Sequence, residues 1–384
     1  MTSYIAGDNM ITSLGFSTGE NLQRMKKGET GVQLHHPDER LNLECCISLV
    51  DDERLKQIFD DFANANEHTR LEKLALTSLR YAVQPTDIDL GSPRTLIIFS
   101  TTKGNIDLLR SPSSTFPVER LQLWSAANTI NTFFDNPNKP LVVSNACISG
   151  VLALLIGHRL LEKGYYRNIA VVGVDIASEF VVSGFQSFKA LSASPCRPYD
   201  QNRNGLNLGE GAGTVLLTCD PDLTPDTKIV LRGGASANDA NHISGPSREG
   251  DGLLLAIEKT LAVTGHPSEQ VDYISAHGTA TLYNDDMESK ALNRAQLASV
   301  PVNSMKGFFG HTLGAAGVLE SAASIASMRE NVLVGTRGFA SAGTVEPLEV
   351  IRKTRSASID HTLKLASGFG GCNAAILLSK YGSF

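Results

Sequence analysis

The sequence predicts an α/β protein in which buried parallel strands alternate with helices. Two continuous apolar runs, Thr95–Ser100 and Ile169–Val174, have the length and composition of strands that are buried on both faces. Between them, the stretch that follows Cys147 stays apolar through two helical turns, which is typical of a buried helix. A strand, a helix and a strand joined by short links indicate a parallel βαβ unit.

Short internal matches predict that the chain consists of two related halves. Residues 213–218 resemble residues 375–379, and residues 150–152 resemble residues 317–319, in the same order along the chain. The segment Asp220–Asp226, rich in Asp and Pro, is typical of a linker. We therefore expect an N-terminal half of residues 1–219 and a C-terminal half of residues 220–384.

The N-terminal region shows a regular series of local signals. Tyr4–Gly7 is a short strand candidate, and Thr18–Lys27 is a helix candidate that Gly28 ends. Cys45–Val50 is a second strand candidate. Glu67–Leu76 places charges on one face and leucines on the other, which predicts an amphipathic helix.

Composition limits the kind of protein and its surroundings. Of the 384 residues, 42% are hydrophobic and 19% are charged, as in compact soluble domains. The net charge of −6 argues against nucleic acid or an anionic membrane as the main partner. No apolar run approaches the length of a bilayer span, no secretory signal is recognisable, and the six cysteines show no zinc or disulfide spacing. We expect a cytoplasmic protein.

Cys147 is a candidate nucleophile because of its place in the chain. It lies where the β-like run Pro140–Val143 gives way to the buried helix. Unpaired N–H groups and the helix dipole at a helix N-terminus favour a thiolate. Free cysteines are also among the most buried residues, so a packing role is the alternative.

Two histidines lie in segments rich in glycine and small polar residues. His277 directly follows the β-like run Val271–Ser275, at the end of a strand where α/β proteins place active-site groups. His311 precedes a helix of glycines and alanines that is suited to close packing against another backbone. Each histidine is a candidate for the site, although a structural hydrogen bond would also account for His277.

Charged residues and a glycine-rich turn complete the candidates. Lys306 and Glu320 flank the second histidine, either as a buried ion pair or as surface charges. The glycines of the turn Ser367–Asn373 permit positive φ and close backbone approach. An oxyanion hole requires both properties, but so does any tight turn.

Taken in order, these motifs resemble those of the elongating β-ketoacyl-acyl-carrier-protein synthases, which are condensing enzymes of the thiolase superfamily. The resemblance runs nearly end to end and includes Ala-Cys-x-Ser-Gly around Cys147, His-Gly-Thr-x-Thr from His277, Gly310-His311 and Gly-Phe-Gly-Gly from Gly368. It implies a thiolase-like fold in which two pseudo-duplicated α/β halves form five layers, α-β-α-β-α.

The resemblance also implies roles for particular residues. Cys147 is expected to be the acyl-accepting nucleophile, with His277 and His311 as its catalytic partners and Lys306 and Glu320 as a supporting pair. The backbone N–H groups of Cys147 and Phe369 are expected to form the oxyanion hole, and the Phe369 ring to gate access. Substrate binding is expected at Thr279, Thr281, Gly370 and Ser367. Arg70 and Lys73 are expected either to dock the carrier protein or to be ordinary surface charges.

The implied reaction is a decarboxylative Claisen condensation of an acyl-Cys147 thioester with malonyl-acyl carrier protein, in fatty-acid, polyene or type II polyketide synthesis. It requires no metal and no organic cofactor, because both substrates arrive on the phosphopantetheine arm of the carrier. The expected partners are the acyl carrier protein and a second subunit, either an identical copy or a related ketosynthase-like chain.

Two alternatives remain open from the sequence. A non-decarboxylating thiolase shares the fold, but thiolases carry an asparagine motif where this chain has His277-Gly278-Thr279. A non-catalytic partner resembling a chain-length factor usually lacks the nucleophile, whereas Cys147 is present here. Ser367 stands where elongating synthases commonly carry a phenylalanine, which predicts an opened or more polar chamber beside the gate.

Overall fold

The computed structural model describes residues 1–110, 116–239, 245 and 247–383. The strands are β1 Ser3–Ile11, β2 Val32–His35, β3 Cys45–Ser48, β4 Thr95–Ser100, β5 Leu141–Val143, β6 Asn168–Asp175, β7 Leu208–Gly209, β8 Gly211–Thr218, β9 Ile229–Asn238, β10 Tyr273–Ser275, β11 Val302–Asn303, β12 Val332–Leu333, β13 Arg355–Ser356, β14 His361–Gly368 and β15 Cys372–Lys380. The α-helices are α1 Thr18–Lys26, α2 Asp52–Asp60, α3 Arg70–Val83, α4 Leu123–Phe133, α5 Ser149–Glu162, α6 Glu179–Ser187, α7 Asp251–Thr264, α8 Leu282–Arg294, α9 Lys306–Phe309 and α10 Ala316–Glu330. Short 3₁₀ helices lie at Ala65–Glu67, Ile106–Arg110, Val118–Leu121, Pro221–Leu223, Ser268–Gln270 and Leu313–Ala315.

Local signals in the sequence explain several of these boundaries. The apolar run Thr95–Ser100 forms β4 with the predicted bounds. The amphipathic helix begins at Arg70 instead of Glu67, because Thr69 and Glu72 form a reciprocal capping box. The side chain of Ser17 accepts the backbone N–H of Glu20 and so starts α1. None of the described helices is long and apolar enough to span a bilayer.

One ten-stranded sheet runs through the molecule in the order β11-β10-β14-β15-β9-β1-β8-β6-β4-β5. Five strands come from each half. From the centre outward, the N-terminal half has the order β1-β8-β6-β4-β5 and the C-terminal half has the order β9-β15-β14-β10-β11. Within each half this places the first strand at the centre, followed by the fifth, fourth, second and third. The halves join where Tyr4 of β1 pairs with Val230 of β9. The predicted α/β fold with pseudo-duplicated halves is confirmed, whereas the domain boundary at residue 219 stays a prediction.

The helices complete five layers. α5 and α10 contact each other and lie between the two halves of the sheet, with α5 against β6 and β9 and α10 against β8 and β14. α3 covers the outer face of β1, β6 and β8, and α7 covers the outer face of β9 and β15. The two central helices therefore carry the residues that lie deepest in the molecule.

The two central helices cross at backbone contact. A Cβ atom on Gly150 would lie 2.7 Å from the backbone nitrogen of Val318, and one on Gly317 would lie 2.3 Å from the backbone nitrogen of Val151. Only glycine fits at these positions, which accounts for the matching Gly150 and Gly317 segments noted in the sequence. The crossing holds the start of α5, where Cys147 lies, close to the start of α10.

Gly317→Ala is expected to destabilise the fold, because the added methyl group has no space and the helices must separate. Overpacking of this kind typically lowers the free energy of unfolding by about 1 to 3 kcal/mol. Gly19→Ala is the matched control, since Gly19 is also helical and a Cβ there meets nothing within 4 Å. Urea unfolding checks the prediction, and an equal stability of the two variants would contradict it.

Candidate active site

The loop between β5 and α5 exposes one thiol to a cavity. Ala146 adopts a left-handed conformation with φ of 44°, which turns the chain sharply before the helix. The hydroxyl of Ser149 fixes this turn, because it accepts the N–H of Asn145 at 2.7 Å and donates to the carbonyl of Ala146 at 2.6 Å. Cys147 is 7% exposed and lines the cavity.

Two carboxylates on α8 hold the loop that carries His277. Glu288 accepts the backbone N–H of His277 at 2.8 Å and that of Gly278 at 2.6 Å. Asp285 accepts the N–H of Thr279 at 3.0 Å. The buried carboxylates therefore fix the backbone of the His-Gly-Thr segment and leave the imidazole free to face the cavity.

His311 follows α9 and meets His277 across the cavity floor. Its backbone N–H donates to the carbonyl of Asn207 at 2.8 Å, which fixes its position. The two imidazole rings lie 5.2 Å apart at 84°. One nitrogen of each ring and the sulfur of Cys147 lie within 4.8 Å of one another. Neither ring nitrogen of His311 has a hydrogen-bond partner among the described residues. The structure therefore brings together the three predicted catalytic residues.

A buried three-residue charge cluster supports His277. Lys306 Nζ lies 2.8 Å from one carboxylate oxygen of Glu320, and Lys364 Nζ lies 2.6 Å from the other. Lys306 also donates to the carbonyl of His277 at 2.5 Å. The structure thus shows the Lys306–Glu320 pair to be buried, not on the surface.

Lys364 was missed in the sequence, although a signal was present. This lysine interrupts the apolar strand His361–Gly368, and a lysine in such a strand requires a buried partner. Burial raises the pKa of Glu320, but Lys306 and Lys364 outweigh it and hold that pKa below its usual value. Glu320 is therefore ionised and is the shared counter-ion of both lysines.

Both histidines are neutral in the resting site. Burial and the nearby Lys306 ammonium hold the pKa values of His277 and His311 well below the usual 6.5. Lys306 Nζ faces Nδ1 of His277 at 3.4 Å. An ammonium group only donates, so Nδ1 of His277 is the acceptor and Nε2 carries the proton.

Cys147 is a neutral thiol in the resting site. Burial raises its pKa to about 12, with a further contribution from Cys372, while Lys306 and the backbone N–H of Phe369 lower it. Burial therefore opposes the thiolate that the helix N-terminus was expected to favour. The helix begins at Ser149, two residues after the thiol.

The glycine-rich turn lies directly over the thiol. Gly370 and Gly371 have φ of 86° and 72°, which only glycine adopts readily. A Cβ on Gly368 would lie 3.0 Å from the backbone nitrogen of Cys147, so the two segments approach closely. The backbone N–H of Phe369 lies near enough to the sulfur of Cys147 to lower the pKa of the thiol. Two backbone N–H groups, those of Cys147 and Phe369, are thereby near the reacting atom.

Three phenylalanines form one side of the cavity above Cys147. Phe369 is 37% exposed and stacks on Phe185 at 5.5 Å and 23°, while Phe188 meets it edge to face at 5.5 Å. Phe185 and Phe188 were not singled out from the sequence, because nothing local indicates that these aromatic residues face Phe369. The cavity has a volume of about 430 Å³, which is within the range of small-molecule sites.

The predicted substrate-binding residues divide into two groups. Thr279 and Thr281 line the cavity with their hydroxyl oxygens 2.8 Å apart. Ser367 also lines it, but its hydroxyl donates to Asn373 at 2.7 Å. Gly370 is not among the lining residues: the turn places its carbonyl outside, on the side-chain amide of Asn238 at 2.9 Å. The predicted role of Gly370 in substrate binding therefore stays a prediction.

Arg70 is engaged within the chain. Its guanidinium lies 2.6 Å from a carboxylate oxygen of the fully buried Glu210 and also pairs with Asp52, and its side chain is only 16% exposed. A cation neutralised in this way would attract an acidic partner only weakly.

Lys73 is half-buried and makes no ion pair with a described carboxylate, so its docking role stays a prediction.

The sulfur and the two imidazoles are also a donor set of the kind that zinc prefers. Their separations of up to 4.8 Å exceed those around a bound zinc ion, so binding would require the side chains to contract. The absence of a metal requirement stays a prediction.

Comparisons with known proteins agree with this geometry. Residues 71–222 match the model of the β-ketoacyl synthase N-terminal domain, and residues 229–340 match that of the β-ketoacyl synthase C-terminal domain. A 3-oxoacyl-(acyl-carrier-protein) synthase 2 of Synechocystis is 31% identical over 279 residues, which cover 69% of this chain and 67% of that protein. Another of that name from Coxiella burnetii is 25% identical over 98% of both chains. The chain belongs to the β-ketoacyl synthase family.

Solved structures show the same thiolase-like fold. A ketosynthase in complex with its chain length factor from Xenorhabdus doucetiae superposes with a TM-score of 0.87 at 25% identity, over 99% of this chain and 98% of that one. A ketosynthase solved with a type II polyketide synthase acyl-carrier protein, bound to the hexaketide, superposes with a TM-score of 0.86 at 22% identity, over 99% of both chains.

Glu320→Gln is expected to lower the free energy of unfolding by about 3 to 5 kcal/mol, because it leaves two buried lysines without a counter-charge. Glu330→Gln on the same helix is the matched control. Glu330 pairs with Lys26 at 2.8 Å on the surface, and loss of such a pair is expected to change stability by about 1 kcal/mol or less. Chemical denaturation measures both, and equal effects would refute a structural role for the buried cluster.

Proposed function

We propose that this chain is a catalytically active 3-oxoacyl-acyl-carrier-protein synthase that joins an acyl group on Cys147 to malonyl-acyl carrier protein with loss of CO₂. The observation that carries the proposal is the meeting of the Cys147 sulfur with two neutral imidazoles at the floor of one cavity. A partner that only shapes another subunit's pocket needs neither the nucleophile nor the histidines.

The first step is transfer of the acyl group to Cys147. The sulfur attacks the carbonyl carbon of the acyl-carrier thioester, and the carrier's sulfur leaves as its thiol. Because Cys147 starts as a neutral thiol, its proton must move to the leaving sulfur as the new bond forms, and the adjacent neutral imidazoles can relay it. The N–H groups of Cys147 and Phe369 would stabilise the oxyanion, with one such donor typically worth about 3 kcal/mol.

The second step requires hydrogen-bond donors for an enolate. Loss of CO₂ from the malonyl thioester leaves its electron pair on the α-carbon, and the negative charge spreads to the thioester oxygen. The Nε2–H of His277, fixed by Lys306 on the other nitrogen, is one donor, and His311, with unpartnered nitrogens, supplies the second. The enolate carbon then attacks the acyl-Cys147 carbonyl, and the Cys147 thiolate leaves and takes up a proton.

The cavity and the relatives support the proposed substrates and partners. Thr279 and Thr281 at the cavity wall would bind the phosphopantetheine arm of the acyl carrier protein. The related ketosynthases were solved with an acyl-carrier protein and with a chain length factor, so we propose a carrier partner and a dimer, either with an identical copy or with a related subunit. The chemistry as proposed uses no cofactor or metal, and we place the enzyme in the cytoplasm.

Ser367 would widen the cavity without making it strongly polar. A phenylalanine ring at this position would fill space beside Phe369, whereas the serine hydroxyl is already bonded to Asn373. The three phenylalanines then present an apolar surface to the acyl chain.

Cys147→Ala is expected to abolish the acyl adduct. His311→Ala is expected to retain the adduct, but its rate of CO₂ release is expected to fall by at least about 100-fold, because one oxyanion donor is lost. Intact-protein mass spectrometry measures the adduct, and a carboxyl-labelled malonyl carrier measures CO₂. His36→Ala, on the exposed surface, is the control. Equal loss of both steps in His311→Ala would contradict this division of roles.

The rate of CO₂ release is expected to stay within about two-fold between pH 7.5 and pH 6.0. A histidine with the usual pKa of about 6.5 would be about three-quarters protonated at pH 6.0. The pKa values of His277 and His311 are lowered, so both remain neutral over this range. Single-turnover assays on pre-acylated protein check this, and a fall centred near pH 6.5 would disprove it.

A further inference from the structure

A second cavity, of about 730 Å³, shares no lining residue with the cavity above Cys147. We call it the basic cavity. Four chain segments form it: the end of α1 with the following turn at 25–28, and residues 195–197, 335–340 and 352–354, together with Phe308 of α9. No step of the proposed reaction uses it.

The charge of the basic cavity is strongly one-sided. None of its lining residues is acidic, and six are basic: Lys26, Lys27, Arg197, Arg337, Arg352 and Lys353. Lys26 pairs with Glu330 at 2.8 Å. The other five are exposed and make no ion pair with a carboxylate in the part of the chain that the structure describes. The chain as a whole carries a net charge of −6, so this concentration of cations is not a consequence of its composition.

Five unpaired cations around one concavity favour an anion. Like charges repel, and a concave wall of low dielectric constant concentrates their field, so a bound counter-charge relieves the repulsion. Three of the five are arginines, whose planar groups bind phosphate oxygens in pairs. Thr336, which is 2% exposed, adds a buried hydroxyl to the cavity lining, and this hydroxyl has no hydrogen-bond partner within the described ranges of the chain.

The size of the basic cavity favours a small molecule. Its volume lies within the range of about 300 to 1,000 Å³ that is typical of small-ligand sites. Phe339, half-buried in the lining, adds an aromatic surface that can contact an apolar or heterocyclic group. Several cations beside one aromatic ring are a combination that suits a phosphorylated molecule.

We propose that the basic cavity binds a small ligand that carries at least two phosphate groups, such as pyrophosphate or a nucleoside diphosphate. The charge cluster and the cavity carry this inference, and it does not depend on the proposed reaction. The ligand would be held chiefly by Arg337, Arg352 and Arg197, with Lys27 and Lys353 adding charge.

Isothermal titration calorimetry of the full chain with inorganic pyrophosphate, and separately with ADP, tests the proposal at constant ionic strength. We expect saturable 1:1 binding that weakens by at least 10-fold in the double variant Arg337→Gln/Arg352→Gln. Tighter binding of ADP than of pyrophosphate would show that the cavity recognises a nucleotide. Equal binding would show that it recognises only the diphosphate group.

Lys139→Gln/Lys163→Gln is the matched control, because it removes two exposed cations elsewhere and changes the net charge equally. This control is expected to bind pyrophosphate as the unaltered chain does. Circular dichroism and the urea unfolding midpoint check that each variant is folded. Absence of saturable binding, or equal weakening in both double variants, would overturn the proposal.

Discussion

The buried carboxylate of Glu320 determines much of the geometry around the reacting atoms. It lies on the central helix α10 and bonds Lys306 at the start of α9 and Lys364 on β14 at the same time. Lys306 then reaches the carbonyl and Nδ1 of His277. A single ionised group therefore ties a helix, a strand and the His277 loop together, and through Lys306 it fixes which nitrogen of His277 carries the proton.

This charge cluster acts on the site through a low-dielectric interior. Burial of His277 and His311 disfavours their charged forms, and the nearby lysine charges add to this effect, so both histidines stay neutral. The same burial keeps the thiol protonated. The resting site is thus assembled from neutral groups, and the nearest charge is the Lys306 ammonium in contact with His277. This arrangement suits a reaction in which negative charge appears on substrate oxygens and then disappears.

The sequence was sufficient for the fold, and its resemblance to the condensing enzymes indicated the residues that the structure brings together at the cavity floor. The apolar run Thr95–Ser100 could be predicted as a strand because it is buried along its whole length. Gly317 could be noted because a helix in backbone contact with another helix requires glycine there. Residues whose role depends on distant neighbours were harder to predict. Lys364 and Phe188 acquire their roles only when β14 and α6 are placed beside α10 and the glycine-rich turn. Arg70 was assigned to the surface because its partner, Glu210, lies 140 residues away in sequence.

The central claim is that this site both accepts an acyl chain and extends it. The most direct measurement is mass spectrometry of the carrier-bound product after one turnover of acyl-Cys147 protein with malonyl-acyl carrier protein. The account predicts a 3-oxoacyl carrier two carbons longer than the acyl group that was loaded, together with an unmodified Cys147. An acyl group that stays on Cys147, with no extended product on the carrier, would contradict it.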